Sequence, residues 1–425
     1  MSATIPDHHL TPGRERATLL VLGAVQFTHI LDFMIMMPLG GQLMHAFNIS
    51  PAQFTHLVAS YGFSAAVSGL AGGFFLDRFD RKRSLLALYT GLGLATLACG
   101  LAPTYHTLLV ARLAAGAFGG LTGSMVTAMV GDVIPPARRG RAMSFVMTAF
   151  PVASVLGVPT GLVLAGKFGW HAPFFLLAGC AAIFLLLASL ALPHILTAVK
   201  NHQPIRQMRA IVSHGVHLRA FAVGAVLVMS GGLIIPFLAP SFVANVGLNE
   251  SSQLPFAYAA GGIATAFSTP LIGWLSDRMD RLHLLAIMST CAVIVVLFIT
   301  RLGPSSVVTA SLMMALFMVT MSGRFAPAMT MITNAVEARY RGGFMSVNSA
   351  LQQASSGGAN LLAGLFVTRD PAGHLIGMPV LGYVSAGFFG LTLLLAFGLR
   401  AAAPHVATAT PKVALASPPS VESAS

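Results

Sequence analysis

Asp32 has the clearest chemistry in this sequence. Of the twelve acidic residues it alone falls inside an apolar stretch long enough to cross a bilayer. A carboxylate there costs roughly 2.5–3.5 kcal/mol on insertion scales, so it is expected to face an aqueous cavity and to mark an ion path; the chemistry open to it is proton exchange. Arg112 is its expected partner. Asp32 lies seven residues before the end of a span reaching to 39, roughly 10 Å deep at the helical rise, and Arg112 lies five residues into a span entering from the same side, about 8 Å down. The two are level, so an ion pair across a helical bundle is expected. An adjacent cation favours the ionised acid and desolvation favours the protonated one, which makes the pair a proton switch if its cavity opens to each side in turn.

Other polar residues inside apolar stretches are candidate substrate contacts. Gln26, His29 and Asp32 are spaced i, i+3, i+6 and form one polar stripe along the first span. His29 serves either as a proton relay and hydrogen-bonding contact or as a neutral histidine satisfied by a neighbouring helix. Arg324 is the second intramembrane cation, and no acidic residue lies in any span of the carboxyl-terminal half to balance it. Three readings stand for it: a structural arginine held by carbonyls, a cation that repels the proton, and a docking point for an anionic or zwitterionic group. Gln352, Gln353 and Asn360 make the eleventh span unusually polar, and some of them are expected to face a cavity or another helix. Methionines cluster at 34–37 and again between 313 and 331, where they supply pliable apolar walls or ordinary packing.

The elements that must position these side chains are membrane helices. Only 8% of residues are charged and 56% are hydrophobic, and the mean hydropathy is +0.80, which excludes an ordinary water-soluble domain. Twelve spans are expected, at 17–39, 52–76, 84–102, 107–131, 142–166, 173–193, 219–243, 254–276, 284–302, 306–332, 343–367 and 380–399. They define an amino-terminal tail (1–16), a six-helix bundle (17–193), a linker (194–218), a second six-helix bundle (219–399) and a disordered tail (400–425). The net charge of +12 is explained by sidedness rather than by nucleic acid. With both termini cytoplasmic, nineteen Lys or Arg fall in cytoplasmic segments and three at the outer edges, which fixes the orientation and places the surplus at anionic headgroups. The polar stretch from His194 to Arg219 reads as part amphipathic helix lying on the bilayer; the spacing of its four histidines matches no compact metal site.

Two hydrophilic turns are near copies. Gly73-Phe-Phe-Leu-Asp77-Arg78-Phe-Asp80-Arg81 recurs 200 residues later as Gly273-Trp-Leu-Ser-Asp277-Arg278-Met-Asp280-Arg281, and Arg139-Gly-Arg-Ala-Met-Ser resembles Arg341-Gly-Gly-Phe-Met-Ser at an offset of 202. The chain is a duplication, and two helical bundles with a site between them are a transporter architecture. As plain physics, each turn is a topology anchor in which carboxylates neutralise crowded cations at the headgroups. The first turn also resembles the signature between the second and third helices of the major facilitator superfamily, with Asp80 and Asp280 where that pattern has glycine; the extra carboxylate is expected to pair locally with Arg81 or Arg281. Arg112-Leu-Ala-Ala-Gly116-Ala-Phe-Gly119 resembles the family's fourth-helix signature. Gly157-Val-Pro159-Thr-Gly161 resembles the fifth-helix signature of its exporters, with the glycine and proline order altered.

The resemblance implies an all-α membrane fold of twelve helices in two pseudo-symmetric six-helix bundles, of the drug:proton antiporter or sugar-efflux type. It implies further that Gly73, Asp77, Arg78, Arg81 and their counterparts Gly273, Asp277, Arg278, Arg281 latch helix ends in one state and release them in another, and that Gly157, Pro159 and Gly161 kink a helix. The expected function is export of small organic molecules in exchange for protons, with no cofactor or metal and with protons, substrate and lipid as partners of a monomer in a bacterial inner membrane. Proton-coupled import of a small organic anion and a non-transporting sensor are the alternatives. No nucleophile-base constellation or phosphate-cradling loop supports an enzyme.

Overall fold

The computed structural model describes residues 11–75, 79–193, 204–337, 340–403 and 406. The first half comprises α1 (Pro12–Ile35), a short α2 (Gly40–Ala46), α3 (Pro51–Phe75), α4 (Arg81–Gly100), α5 (Tyr105–Val133), α6 (Pro136–Met147), α7 (Ala149–Val152), a π-helical turn (Ala153–Gly157), α8 (Val158–Phe168) and α9 (Ala172–Ala191). After α10 (Pro204–Ser213) the second half repeats the order with α11 (Gly215–Gly232), α12 (Ile235–Ala244), α13 (Gln253–Arg278), α14 (Arg281–Ile299), α15 (Val307–Asn334), α16 (Arg341–Phe366) and α17 (Met378–Ala402). A two-residue antiparallel ribbon, β1 (Thr368–Arg369) with β2 (Leu375–Ile376), precedes α17. Helix is the required answer for these apolar runs, because each backbone polar group is then satisfied within its own segment.

Among the described residues, eight stretches are long and apolar enough to cross a membrane, including α1, α5, α9, α14, α15 and α17. α3, α4, α13 and α16 match them in length with 25, 20, 26 and 26 residues. α4 and α14 start on their N-caps: Asp80 accepts a hydrogen bond from the Arg83 amide at 2.8 Å, and Asp280 accepts from the Leu282 and His283 amides at 3.0 and 3.1 Å. Aspartate in these turns thus satisfies orphan amides at a helix start.

Several boundaries differ from the sequence expectation. The first span does not run unbroken to residue 39; α1 ends at Ile35, and the chain turns before α2. Pro38 is the physical reason, since the residue before a proline is pushed out of the helical region. α11 begins at Gly215 rather than 219 and ends at Gly232, four residues before Pro236, whose missing N–H cannot bond the Gly232 carbonyl. The tail is also not wholly free. α17 continues to Ala402, Arg400 pairs with Asp280 at 3.1 Å, and the Val406 carbonyl accepts from Arg281 at 3.4 Å.

The apolar core has an uneven distribution along the helices. Towards the end that carries α2 and α12, a single buried cluster joins both halves, running from Leu31, Met36 and Phe54 to Phe237, Met314 and Phe389. Towards the end that carries α10, the buried residues divide into one cluster per half, around Leu85 and Val130 in the first and around Phe221 and Phe344 in the second. The apolar core is thus continuous between the halves at the α2/α12 end, the sealed end, and divided between them at the α10 end, the parted end. Glycines permit the seal. A Cβ on Gly62 of α3 would lie 2.8 Å from the Gln353 carbonyl oxygen, and one on Gly262 of α13 would lie 2.9 Å from the backbone of Ser154, so backbone meets backbone at both seams between the halves. At the sealed end the loop after α12 seats Glu250 against Gly41 and Ser251 against Gly166; a Cβ on Gly166 would fall 2.6 Å from that of Ser251.

Candidate functional site

Four helices of the first half converge on Asp32. Its side chain and that of Arg112 are almost fully buried, 2% and 0% exposed, and the Arg112 Nη1 stands 3.3 Å from Asp32 Oδ2. The same nitrogen donates to the Asp32 backbone carbonyl at 3.3 Å, and the Thr96 hydroxyl of α4 donates to Oδ1 at 2.8 Å. Tyr61 of α3 lies under the guanidinium, 4.5 Å from ring centroid to Cζ. Arg112 Nε and Nη2 have no hydrogen-bond acceptor among the described residues. The pair is therefore held by long, single-nitrogen contacts and a cation–π face, not by a bidentate fork. Breaking such a pair by removing one member is expensive because it strands the other charge.

Along α1 the neighbours of this pair are polar atoms without partners. Both ring nitrogens of His29, the Gln26 Oε1 and the Tyr61 hydroxyl are buried and lack hydrogen-bond partners among the described residues. Each such atom costs about 1–3 kcal/mol, so a run of them points to transient partners. The glycine face of α5 makes the room. A Cβ on Gly119 would sit 3.3 Å from His29 Cδ2, and one on Gly123 would sit 2.9 Å from His29 Cε1. Thr28, between them in sequence, turns away to bond the Tyr89 hydroxyl at 2.7 Å.

Arg324 sits in a different setting. It is 1% exposed on α15, where Nη1 donates to the Ser230 hydroxyl at 2.9 Å, Nη2 approaches the Met321 sulfur at 3.1 Å, and the Phe389 ring lies 4.1 Å from Cζ. Its Nε has no partner among the described residues. These contacts point it into the second bundle, between α11 and α17, and neither the α1 stripe nor the amides of α16 is among them. Gln352 reaches the Met329 sulfur at 3.4 Å. Gln353 is half-buried at the α3 seam, and Asn360 is buried. Asn348, which the sequence reading passed over, is 1% exposed with both amide atoms unpartnered.

Of the paired turns, Asp77 and Arg78 lie outside the described residues, and Gly73 is in the last turn of α3. Arg81 is buried and its Nε pairs with Asp132 of α5 at 2.9 Å. In the second copy, Asp280 holds Arg400 and, at 3.4 Å, His283. Those two partners replace the local pairing with Arg281 that the sequence suggested, because Asp280 as N-cap faces the amides after it and the returning end of α17. Asp277 is exposed and makes no ion pair among the described residues, Arg278 stacks 3.9 Å over Trp274, Arg281 is buried, and Gly273 has open space around it. Gly157 closes the π-helical turn and Pro159 stands in the first turn of α8. A Cβ on Gly157 would meet Leu31 Cδ2 at 2.7 Å and one on Gly161 would meet Ile35 Cδ1 at 2.5 Å, so this irregular segment lies close against α1 beside Asp32.

The sequence matches the model of the Major Facilitator Superfamily over residues 22–360. The chain belongs to that family. Among curated relatives, it is 26% identical over 228 residues to Multidrug resistance protein 2 of Bacillus subtilis, covering 52% of this chain and 56% of that one. It is 24% identical over 225 residues to a chloramphenicol efflux pump of Mycobacterium tuberculosis, covering 53% and 54%. The chain thus spans about half the length of these relatives. A bacterial homologue of the human lysosomal transporter Spinster, in an inward-facing and occupied conformation, superposes with a TM-score of 0.76 at 16% identity, over 95% of this chain and 100% of that one. The fold is that of the family's transporters, in a polytopic integral membrane protein.

Thr96, Tyr61, Ser230 and Phe389 complete the surroundings of the two arginines without having been singled out in the sequence. The available signal for Tyr61 was a phenol hydroxyl within an apolar span; for Thr96 and Ser230 there was none, since hydroxyls in membrane helices usually bond their own backbone.

Proposed function

We propose that this protein is a proton-coupled secondary transporter that exports small organic molecules by alternating access. The observation that carries the reading is the buried Asp32–Arg112 pair, flanked by unpartnered polar atoms and set in a fold joined at one end and parted at the other. Protonation of Asp32 would remove the anion that faces Nη1, freeing the Arg112 guanidinium to settle on the Tyr61 ring of α3; deprotonation would draw it back. α1 and the π-helical turn beside Asp32 would then repack, and the α3–α16 and α13–α8 seams are the surfaces on which the halves would rock. Twelve crossings, both termini on the cytoplasmic side of a bacterial inner membrane and a monomeric state belong to this reading, supported by the distribution of Lys and Arg. On that orientation the parted end opens to the cytoplasm, and Asp277, exposed and without an ion pair among the described residues, is a released latch.

The walls available to substrate are apolar and pliable, with Met318 and Met321 packed against the shared core, as suits drug-like molecules; the multidrug and chloramphenicol relatives favour the same class. A second reading, import of a small organic anion, is favoured by Arg324, a buried cation with no carboxylate partner among the described residues. One experiment addresses both. Purified protein in liposomes is given an imposed pH gradient of either sign, with chloramphenicol and a panel of organic cations and anions as substrates, for wild type and Asp32→Asn. Gradient-driven export in wild type and its loss in Asp32→Asn are expected. Equal accumulation by both proteins would remove Asp32 from the proton path, and accumulation of anions alone in the opposite direction would favour import.

A further inference from the structure

The sealed end contains a cavity of about 540 Å³ that no part of the proposed transport cycle uses. Its volume lies within the roughly 300–1,000 Å³ of small-molecule sites. Both halves line it: α2 and Trp170 from the first, and α12, Glu250 and the ribbon before α17 from the second. Met44, Trp170, Val243 and Leu375 give it an apolar wall. Two opposite charges face the same space, Glu250 and Arg369, and neither makes an ion pair among the described residues.

Each charge has capacity to spare. Glu250 is pressed against Gly41, and its Oε1 is buried without a hydrogen-bond partner among the described residues. The carboxylate lies beside the amides of Gln42, with His45 as the nearest titratable group on α2, and burial pushes its pKa above the ordinary carboxylate value. Arg369, an exposed residue, donates Nε to the Gly373 carbonyl at 3.2 Å, and its terminal nitrogens make no hydrogen bond among the described residues. An acid and a base that share an apolar-walled cavity without neutralising each other form a template for a molecule bearing both charges.

We propose that this cavity is a peripheral binding site for a small amphipathic zwitterion of the α-amino-acid type, with its ammonium on Glu250, its carboxylate on Arg369 and its side chain against Trp170 and Met44. A molecule bound there touches both halves and so favours the conformation sealed at this end. The site is separate from Asp32, and its test does not require transport.

The molecule supplies a reporter. Trp170 and Trp274 are the only two tryptophans, so Trp274→Phe leaves Trp170 as sole emitter. In that background, purified protein is titrated with L-phenylalanine, with L-phenylalaninamide, which lacks the carboxylate, and with N-acetyl-L-phenylalanine, which lacks the ammonium. The expected result is a saturable change in emission for L-phenylalanine, with each analogue about tenfold weaker or worse, as follows from loss of a charge-assisted hydrogen bond. Glu250→Gln should abolish discrimination against the N-acetyl analogue and Arg369→Gln discrimination against the amide, while Asp32→Asn, which can only move all three affinities together through the conformational equilibrium, should preserve both discriminations. The crossed pattern guards against misfolding, because each variant retains the preference set by the other charge. No saturable response to any probe, an amide that binds as well as L-phenylalanine to wild type, or discrimination that follows Asp32 instead of Glu250 and Arg369 would each overturn the proposal.

Discussion

The two halves each bury one arginine against their first helix, yet they balance it differently. Arg112 meets the carboxylate of Asp32, three residues before α1 ends; Arg324 meets the hydroxyl of Ser230, two residues before α11 ends. The helix pairs correspond, α1 with α5 and α11 with α15, but the arginines do not: Arg112 is the eighth residue of α5 and Arg324 the eighteenth of α15. Duplication has kept the scaffold and let the charge diverge. One half holds a pair that a proton can dissolve, and the other holds a positive charge cushioned by a hydroxyl, a thioether and a ring. On the proposed mechanism, coupling chemistry is confined to one bundle, while the other offers a fixed field.

The contrast can be broken most severely at Asp32. Asp32→Ala strands the Arg112 guanidinium in the first bundle and should cost about 3–5 kcal/mol of stability, read as a fall in thermal midpoint and in folded yield; a midpoint equal to that of wild type would show that the pair is not holding the bundle. Ser230→Asp gives the second half the carboxylate it lacks. A buried arginine that gains a charged acceptor should stabilise the protein by up to about 1.5–3 kcal/mol, and a lowered midpoint would mean that Arg324 is already balanced. Gly123→Ala fills the space beside His29 and should cost about 1–3 kcal/mol through overpacking, whereas Gly131→Ala, with open space around it, should not. The smallest effect belongs to the turn of the second half. The Arg400–Asp280 pair is partly exposed, so Arg400→Ala should change stability by no more than about 1 kcal/mol, and a larger loss would give the end of α17 a structural weight that its exposure does not predict.

At the sealed end, pH provides a further check. Ligand ammonium requires ionised Glu250, whose carboxyl is pushed up by burial. Affinity for L-phenylalanine should therefore be full where Glu250 is ionised and the ligand's ammonium still protonated, and fall as pH drops through that raised value, earlier than an ordinary glutamate would allow; His45, Gln42 and Arg369 are the other polar groups facing the cavity. An affinity unchanged across the acidic range would detach the ammonium from Glu250.

The meeting of Asp32 and Arg112 was legible because helical rise converts residue number into depth, and two charges at one depth in an apolar chain have few other partners. The repeat of the acidic turns likewise exposed the two-fold plan. The breaks after α1 and α11 were marked by Pro38 and Pro236 but hidden by the continuous apolar run, which reads as one span whether or not the helix bends. Partners far apart in sequence left no trace. Asp280 finds Arg400 after 120 residues, and Tyr61 reaches Arg112 only because Gly116 lets α3 and α5 close up. Arg324 was visible as an unbalanced charge, but its direction, into the bundle instead of towards the other half, depends on packing that hydropathy does not encode.

Gly41 and Gly166 have one more consequence. Because neither offers a side chain, the loop bearing Glu250 and Ser251 beds flush into the opposite half like a key in a slot, with its own turn braced by the Asn249 carboxamide accepting from Ser251 and Ser252. A stiff key has to be withdrawn whole. Separation at that end should thus be abrupt, and even one methyl group added at Gly166 would act as a wedge that props the door.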